Sequence, residues 1–332
     1  MAHKILVVGG AGYIGSHMVK HLGQLGCSVT TLDNLSGGYR DAVLAGELVV
    51  GDIADRALLD ALFTRGQFDA VMHFASFIQV GESVKEPAKY YQNNVSNTLT
   101  LLDAMRGAGV KKFIFSSTAA TFGEPHYTPI DEIHPQRPIN PYGRTKLMVE
   151  QVLADYEVAY GLKSVVLRYF NAAGADPEGQ LGERHDPETH LIPLVLQAAS
   201  GRRPHINVFG RDYDTPDGTC IRDYIHIQDL CEAHWLALQS LMQGQGSQAY
   251  NLGNGSGFSV QEVIDAARTV TGQPIPVVDG PRRDGDPARL VADSALARSR
   301  LGWQPCYADL TPIVQHAWDW EQKMASSNVS QP

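Results

Sequence analysis

VVGGAGYIGSH, residues 7–17, sets three glycines at Gly9, Gly12 and Gly15 between a short apolar run and a stretch of helical character. Glycine lets the chain turn tightly, lets an anionic group approach the backbone, and lets a helix lie close against a strand. A helix that begins in such a loop also offers free amide hydrogens to a phosphate. A glycine-rich turn alone carries little weight, and two features of its surroundings decide the matter. KILVVG (4–9) reads as a buried strand and IGSHMVKHLGQL (14–25) as a helix, so the loop joins the two. Asp33 then closes the next apolar run, SVTTLD (28–33), about 18 residues beyond Gly15, where an acid can bind the adenosine ribose hydroxyls of a dinucleotide. That carboxylate would repel a ribose phosphate, so NAD is expected over NADP.

Outward from this loop the same alternation repeats. ELVVGD (47–52), AVMHFA (70–75), KKFIFSS (111–117) and SVVLRYF (164–170) are short, rich in Val, Ile and Phe, and end in Gly or polar residues, as buried strands do. Between them ADRALLDALF (54–63) and NVSNTLTLLDAMRGAG (94–109) read as helices; in the latter Val95, Leu99, Leu102 and Met105 fall near one face and Gly107 and Gly109 offer a stop. Strand alternating with helix predicts an α/β fold with a doubly wound parallel, Rossmann-type sheet. After Phe170 the texture shifts to Gly, Pro and charge in NAAGADPEGQLGERHDPETH (171–190). We therefore expect a dinucleotide-binding domain over 1–170 and a smaller substrate-binding lobe over 171–332. Segments near 220–250 would return to the first domain, and a disordered tail would begin near residue 325.

Bulk properties narrow the function. The chain has 332 residues, 43% of them hydrophobic and 19% charged, and a formal net charge of −9. An acidic balance argues against nucleic-acid or anionic-membrane partners, while leaving room for a few local arginines to hold an anionic small molecule. Four widely spaced cysteines, Cys27, Cys220, Cys231 and Cys306, show no metal pairing and read as reduced thiols of a cytoplasmic protein. The N-terminus lacks a signal-peptide layout, and no apolar run has membrane-spanning length. The 12 histidines show no HExxH or other metal spacing, so no metal site is expected.

In NPYGRTK (140–146) a tyrosine and a lysine stand four apart. Alone, Tyr142 and Lys146 would be a solvated helix stripe. Asn140 and Pro141 are good helix starters, which places Tyr142 at the mouth and Lys146 one turn inside. With the glycine loop and Asp33 already in place, the pair reads as a base and the cation that tunes it. Thr118, at the end of KKFIFSST, would hydrogen-bond the same oxygen.

The combination of Gly-x-x-Gly-x-x-Gly with SSTAATFG (116–123) and PYGRTK resembles the extended short-chain dehydrogenase/reductase superfamily, and within it the UDP-glucose 4-epimerase family. LRYFNAAGAD (167–176), GTCIRDYIHIQDL (218–230), YNLGNGSG (250–257) and PRRDGD (281–286) extend the likeness over nearly the whole chain. The resemblance implies an NAD-dependent isomerase acting on a UDP-hexose, and a homodimer packed through helices near 90–107 and 142–160. It places Tyr13, Ile14, Asp33, Asn34, Asp52, Ile53, Phe74, Ala75, Ser76, Asn93, Ser116 and Phe170 around NAD. Arg222 and Arg283 would bind the diphosphate, with Asn171 nearby; Asp286 would bind the uridine ribose, and Asn207, Val208 and Phe209 would flank the base. His190 and Leu191 would touch the substrate, although His190 stands where asparagine is usual. Ile78 replaces a lysine found in some members. Leu290 matches the gate of the sugar site, where a bulky tyrosine excludes N-acetylated hexoses and smaller residues admit them. Sugar dehydratases of the same superfamily need an acid–base pair after the catalytic threonine, and Ala119 and Ala120 cannot move protons. A dehydrogenase that releases its cofactor and a non-catalytic NAD-binding module are the remaining alternatives.

Overall fold

The computed structural model describes residues 2–283 and 286–329. Asp284 and Gly285 of PRRDGD and residues 330–332 of the expected tail lie outside them. The last helix, Leu310–Val329, runs past the point near 325 where the sequence suggests a tail.

Seven parallel strands form the central sheet: β1 (Lys4–Val8), β2 (Ser28–Asp33), β3 (Glu47–Val50), β4 (Ala70–His73), β5 (Lys112–Thr118), β6 (Lys163–Tyr169) and β7 (Gln248–Leu252). Their spatial order is β7-β6-β5-β4-β1-β2-β3, so the order reverses between β1 and β4. In open sheets of this kind, ligands bind at the carboxyl ends of the strands beside that reversal. β7 lies outside the six strands read from the sequence. It is reached through helix Ile227–Met242, whose Ile227, Leu230, Ala237 and Leu238 are fully buried in the core on one face of the sheet.

Alternate strand residues feed two cores, which is why these strands carry no polar face. Ile5, Val7, Met72, Ile114 and Leu167 pack on one side with helices Tyr13–Gln24 and Ile227–Met242. Leu6, Val8, Leu32, Val71, Phe113 and Val166 pack on the other with helices Arg56–Gly66, Asn97–Gly107 and Pro141–Tyr160. The second lobe has its own core, in which helices Leu191–Ala199, Val260–Thr271 and Leu310–Val329 cover the strand pair Ile206–Phe209 and Val277–Gly280. No helix among the described residues is long and apolar enough to cross a membrane.

One expectation needs correction. In the helix read over 94–109, Leu102 and Met105 are fully buried, but Val95 and Leu99 are only partly so. A π-helical segment, Tyr91–Ser96, precedes the α-helix Asn97–Gly107 and turns its face. Leu101 is buried with Leu102 and Met105, and so are the polar Asn94, Asn97 and Thr98, of which Asn94 bonds the loop at Phe77.

The glycine loop is held by contacts that leave no room for side chains. Gly9 has φ +80°, and a Cβ there would lie 2.5 Å from the Ala75 backbone nitrogen. A Cβ on Gly15 would lie 2.1 Å from the Gly9 carbonyl oxygen, so helix Tyr13–Gln24 can approach β1 only because position 15 is bare. Gly15→Ala should therefore destabilise the protein by about 1–3 kcal/mol, as overpacking does. It should also weaken NAD binding, and denaturant unfolding with cofactor titration checks both; a variant as stable as wild type would contradict the packing.

Candidate active site

The strands' carboxyl ends bring most of the expected residues together. At Gly12, the N-cap of the first helix, a Cβ would meet nothing nearer than the Gly9 oxygen at 3.6 Å. The open space on that side and the unpaired amides of the first helical turn suit a pyrophosphate. The Asp33 carboxylate closes the loop by accepting from the Ala11 amide (2.9 Å) and the Leu35 amide (2.8 Å). Each oxygen keeps a further lone pair for a ribose hydroxyl. Asn34 donates to Asp52 at 2.7 Å, which ties the two residues expected near the adenosine. Ile53 differs, for its side chain is buried in the sheet core. These features fit an NAD dinucleotide.

Across the reversal, Phe74, Ala75 and Ser76 follow β4. Asn93 donates to the Asn94 side chain (2.9 Å), and buried Asn94 bonds both the amide (2.9 Å) and the carbonyl (3.0 Å) of Phe77. Phe74 packs on His234, with ring centroids 5.0 Å apart. His234 bonds the Leu230 carbonyl through Nδ1 (2.8 Å) and Ser116 through Nε2 (3.2 Å). Burial lowers its pKa to about 4, so the ring is neutral, with its proton on Nδ1 and Nε2 accepting from the serine hydroxyl.

Tyr142 and Lys146 occupy the first two turns of helix Pro141–Tyr160. Asn140 caps that helix by accepting from the Gly143 amide at 2.8 Å, with Pro141 in the first turn. Gly143 is the contact that seats the helix: a Cβ there would stand 2.4 Å from the Ala120 carbonyl, one turn beyond Thr118. Thr118 ends β5 and accepts from the Ala120 amide at 3.1 Å. Burial pushes the Tyr142 hydroxyl up to about 12, and a hydrogen bond with Thr118 pulls the other way.

Lys146 is buried, donates to Ser76 Oγ and the Ser116 carbonyl at 2.8 Å each, and lies 4.9 Å from the centre of the Phe115 ring. Burial lowers its pKa to about 7, with Glu150 acting against the shift. Desolvation dominates both groups, and the ammonium is drawn toward two sheet-side oxygens.

Beneath the pair lies a buried network that sequence reading did not find. Glu150 accepts from Arg168 (2.6 Å), Ser117 (2.5 Å) and Gln136 (2.9 Å). Its only sequence sign is an acid one turn beyond the lysine.

The residues expected to bind the substrate come mostly from the later part of the chain. Arg222 pairs with Asp286 and donates to the Ile221 carbonyl at 2.8 Å. Arg283 lies 4.0 Å from the centre of the Phe209 ring, whereas its neighbour Arg282 is taken by Asp212 at 2.6 Å. In Ile206–Phe209, Val208 points into the core while Asn207 and Phe209 are half-exposed, as strand alternation requires. Asn171 donates to the Asp223 carbonyl at 2.8 Å. Phe170 and Leu290 pack against one small cluster, Ala119, Phe122 and Ile130. Leu191 begins a helix preceded by His190, whose Nδ1 faces Glu183 (2.8 Å) and Glu188 (3.1 Å). Burial works against a charged ring there, but these carboxylates outweigh it and lift His190 to about 10; His185 is lifted likewise to about 9. The grouping of these four residues also went unseen in the sequence, although E-x-H-x-x-E-x-H from 183 to 190 is its signature.

Comparison with known proteins agrees with this geometry. The model of the NAD dependent epimerase/dehydratase family matches residues 5–253. The UDP-glucose 4-epimerase of Halalkalibacterium halodurans is 54% identical over 319 residues, covering 96% of each chain. A crystal structure of UDP-glucose 4-epimerase from Brucella ovis in complex with NAD superposes with a TM-score of 0.94 at 53% identity, covering 96% of this chain and 98% of that one. The UDP-Glc/GlcNAc 4-epimerase of Campylobacter jejuni superposes at 0.86 with 46% identity, covering 97% of this chain and 100% of that one.

Two outcomes follow from the geometry. Gly143→Ala would push the helix off the Ala120 carbonyl and should lower turnover about 10-fold or more, since catalytic geometry tolerates little displacement; unchanged turnover in a folded variant would show that the close contact is idle. Lys146 in an unfolded chain titrates near 10.4, so between about pH 7 and 10.4 the unfolded chain holds the extra proton and stability rises with pH. In NAD-free protein the stability difference from Lys146→Met should move toward wild type by about 1.4 kcal/mol per pH unit across that window. Denaturant unfolding at two pH values inside it, with identical slopes for both proteins, would contradict the buried low-pKa lysine.

Proposed function

Because the chain belongs to the NAD dependent epimerase/dehydratase family, we propose that it interconverts UDP-glucose and UDP-galactose by oxidation and re-reduction at carbon 4 of the hexose. The observation that carries this is the placement of Tyr142 and buried Lys146 in the first two turns of helix Pro141–Tyr160, with Thr118 at the carboxyl end of β5, beside the glycine loop. NAD, when bound, accepts the carbon-4 hydride and returns it, and so ends each turnover unchanged.

Tyr142 takes the 4-hydroxyl proton as the 4-keto sugar forms and returns it after the sugar has turned over. Thr118 bonds the same oxygen, which steadies the phenolate. Lys146, fixed by Ser76 and Ser116, holds a positive charge one helical turn away whenever it is protonated. The two alanines that follow Thr118 offer no group to expel water, which favours epimerisation over dehydration. Arg222 and Arg283 would hold the diphosphate with Asn171 nearby, Asp286 would bind the uridine ribose, and Asn207 and Phe209 would flank the base. Anchoring the nucleotide while leaving the hexose loose is what the turnover of the ketone demands.

Leu290 favours a second substrate pair. Its side chain, packed with Phe170 on the Ala119–Phe122–Ile130 cluster, is smaller than the tyrosine that would exclude an N-acetyl group. We infer acceptance of UDP-N-acetylglucosamine and UDP-N-acetylgalactosamine, an inference supported by the dual-specificity relative of Campylobacter jejuni. The proposal includes a cytoplasmic homodimer. Half-buried Val95 and Leu99, and Met148 and Val158 at 40% and 90% exposure, supply apolar surface on the two helices it would use.

Incubation of purified protein with UDP-galactose and no added NAD tests the central claim. UDP-glucose should appear without net NADH; a lasting need for added NAD with stoichiometric NADH would mark a dehydrogenase instead. Tyr142→Phe should lower turnover by about 10²-fold or more with NAD still bound, and normal turnover would remove Tyr142 from its role. Parallel assays of the acetylated pair decide the Leu290 inference, which no detectable turnover would refute.

A further inference from the structure

GERHDPETH (182–190) carries a grouping that goes beyond the substrate contact expected of His190. One ligating atom from each of Glu183, His185, Glu188 and His190 lies within 4.8 Å of all the others. The His190 Nδ1–Glu183 separation is 2.8 Å and His190 Nδ1–Glu188 is 3.1 Å; from His185 Nδ1 the same two acids lie at 3.0 and 3.7 Å. A tetrahedral ion with nitrogen and oxygen ligands at about 2.0–2.1 Å spaces those ligand atoms about 3.3–3.4 Å apart, the middle of this range.

Charge points the same way. The Glu183 and Glu188 side chains are only 7% and 6% exposed, and among the described residues their ion pairs run to the two histidines alone. Arg184, between them in sequence, turns away to Asp41 at 2.8 Å. Two buried carboxylates need two positive charges. A divalent ion held between them supplies both. The backbone fixes the acids beforehand: Glu188 Oε1 accepts the amides of Thr189 (2.7 Å) and His190 (2.8 Å), and Trp320 donates to the Glu183 carbonyl at 3.2 Å. Partial exposure of His190, at 38%, leaves an entry path.

We propose that Glu183, His185, Glu188 and His190 bind a divalent transition-metal ion of the zinc class, four-coordinate and structural. The Tyr13 ring of the cofactor loop lies 6.3 Å from that of His185, so the ion would brace the second lobe's loop beside the NAD site without touching a reacting atom.

Tag-free, NAD-loaded enzyme is stripped with a chelator, equilibrated with micromolar zinc sulfate, and analysed by elemental mass spectrometry. About one zinc per chain is expected, lost in His185→Gln and in Glu183→Gln while NAD content and circular dichroism stay at wild-type values. Wild type that takes up no zinc, or variants that keep it, would overturn the proposal. If a variant fails to fold, cobalt on the wild type decides: intense tetrahedral visible bands support the site, and a weak octahedral spectrum or none overturns it.

Discussion

Three stretches of backbone meet at Gly9, and the rest of the structure depends on that crossing. The turn after β1 reaches φ +80° at Gly9, the first helix touches it through bare Gly15, and the chain leaving β4 passes it at Ala75. No side chain fits at Gly9 or Gly15. The crossing puts a helix N-terminus at the point where strand order reverses, which orients amides toward a pyrophosphate and leaves the carboxyl ends of β4 and β5 on the same side. Gly143 repeats the device at the other end of the site, against Ala120. Where the tyrosine can stand is thus set by the absence of side chains on its neighbours as much as by its own packing.

Around these contacts the site is dominated by desolvation. An ammonium lowered to about 7 and a phenol raised to about 12 would be poor catalytic partners if they were fixed there. Both groups are displaced toward their neutral forms, so charge brought into the site has a large effect on either. The Glu150–Arg168 pair beneath them is a buried ion pair with added hydrogen bonds from Ser117 and Gln136. Such pairs add little net stability compared with apolar packing. Its position suggests a different use, holding helix Pro141–Tyr160 against β5 and β6 so that Lys146 faces Ser116.

Legibility in the sequence followed the range of the forces involved. Strand alternation, the glycine loop, Asp33 and the Asn140–Pro141 helix start are local patterns, and each is visible in a window of a dozen residues. The parallel sheet followed from them. What escaped was set by contacts distant in sequence. β7 pairs with β6 across some eighty residues, and its QAYNL carries too little periodicity to stand out. The rotated face of Asn97–Gly107 came from a π-helical segment that hydrophobic spacing does not encode. His234 and Glu150 matter because of what they touch, and neither sits in a motif. Nor does helical spacing reveal that Lys146 is buried and donates to Ser76 and the Ser116 carbonyl. Glu183, His185, Glu188 and His190 were local and still missed, because their spacing matches no common metal motif.

Asp223 joins the halves of the molecule. Its carboxylate accepts the amides of Asn254 (2.7 Å), Gly255 (3.1 Å) and Ala292 (3.0 Å), while its carbonyl receives Asn171. Neighbouring Arg222 reaches Asp286. One buried acid therefore fixes the turn after β7, the strand end beyond Leu290, and the asparagine that follows β6. Gly253 must be bare for this, since a Cβ there would lie 2.4 Å from the Asp223 carboxylate. The side chains of Phe170 and Leu290, proposed to border the hexose, by contrast make apolar contacts with Ala119, Phe122 and Ile130. On the proposed function, directional bonds at the diphosphate end and non-directional side-chain contact at the hexose end would let a substrate be anchored at one end and still present either face of its sugar to Tyr142.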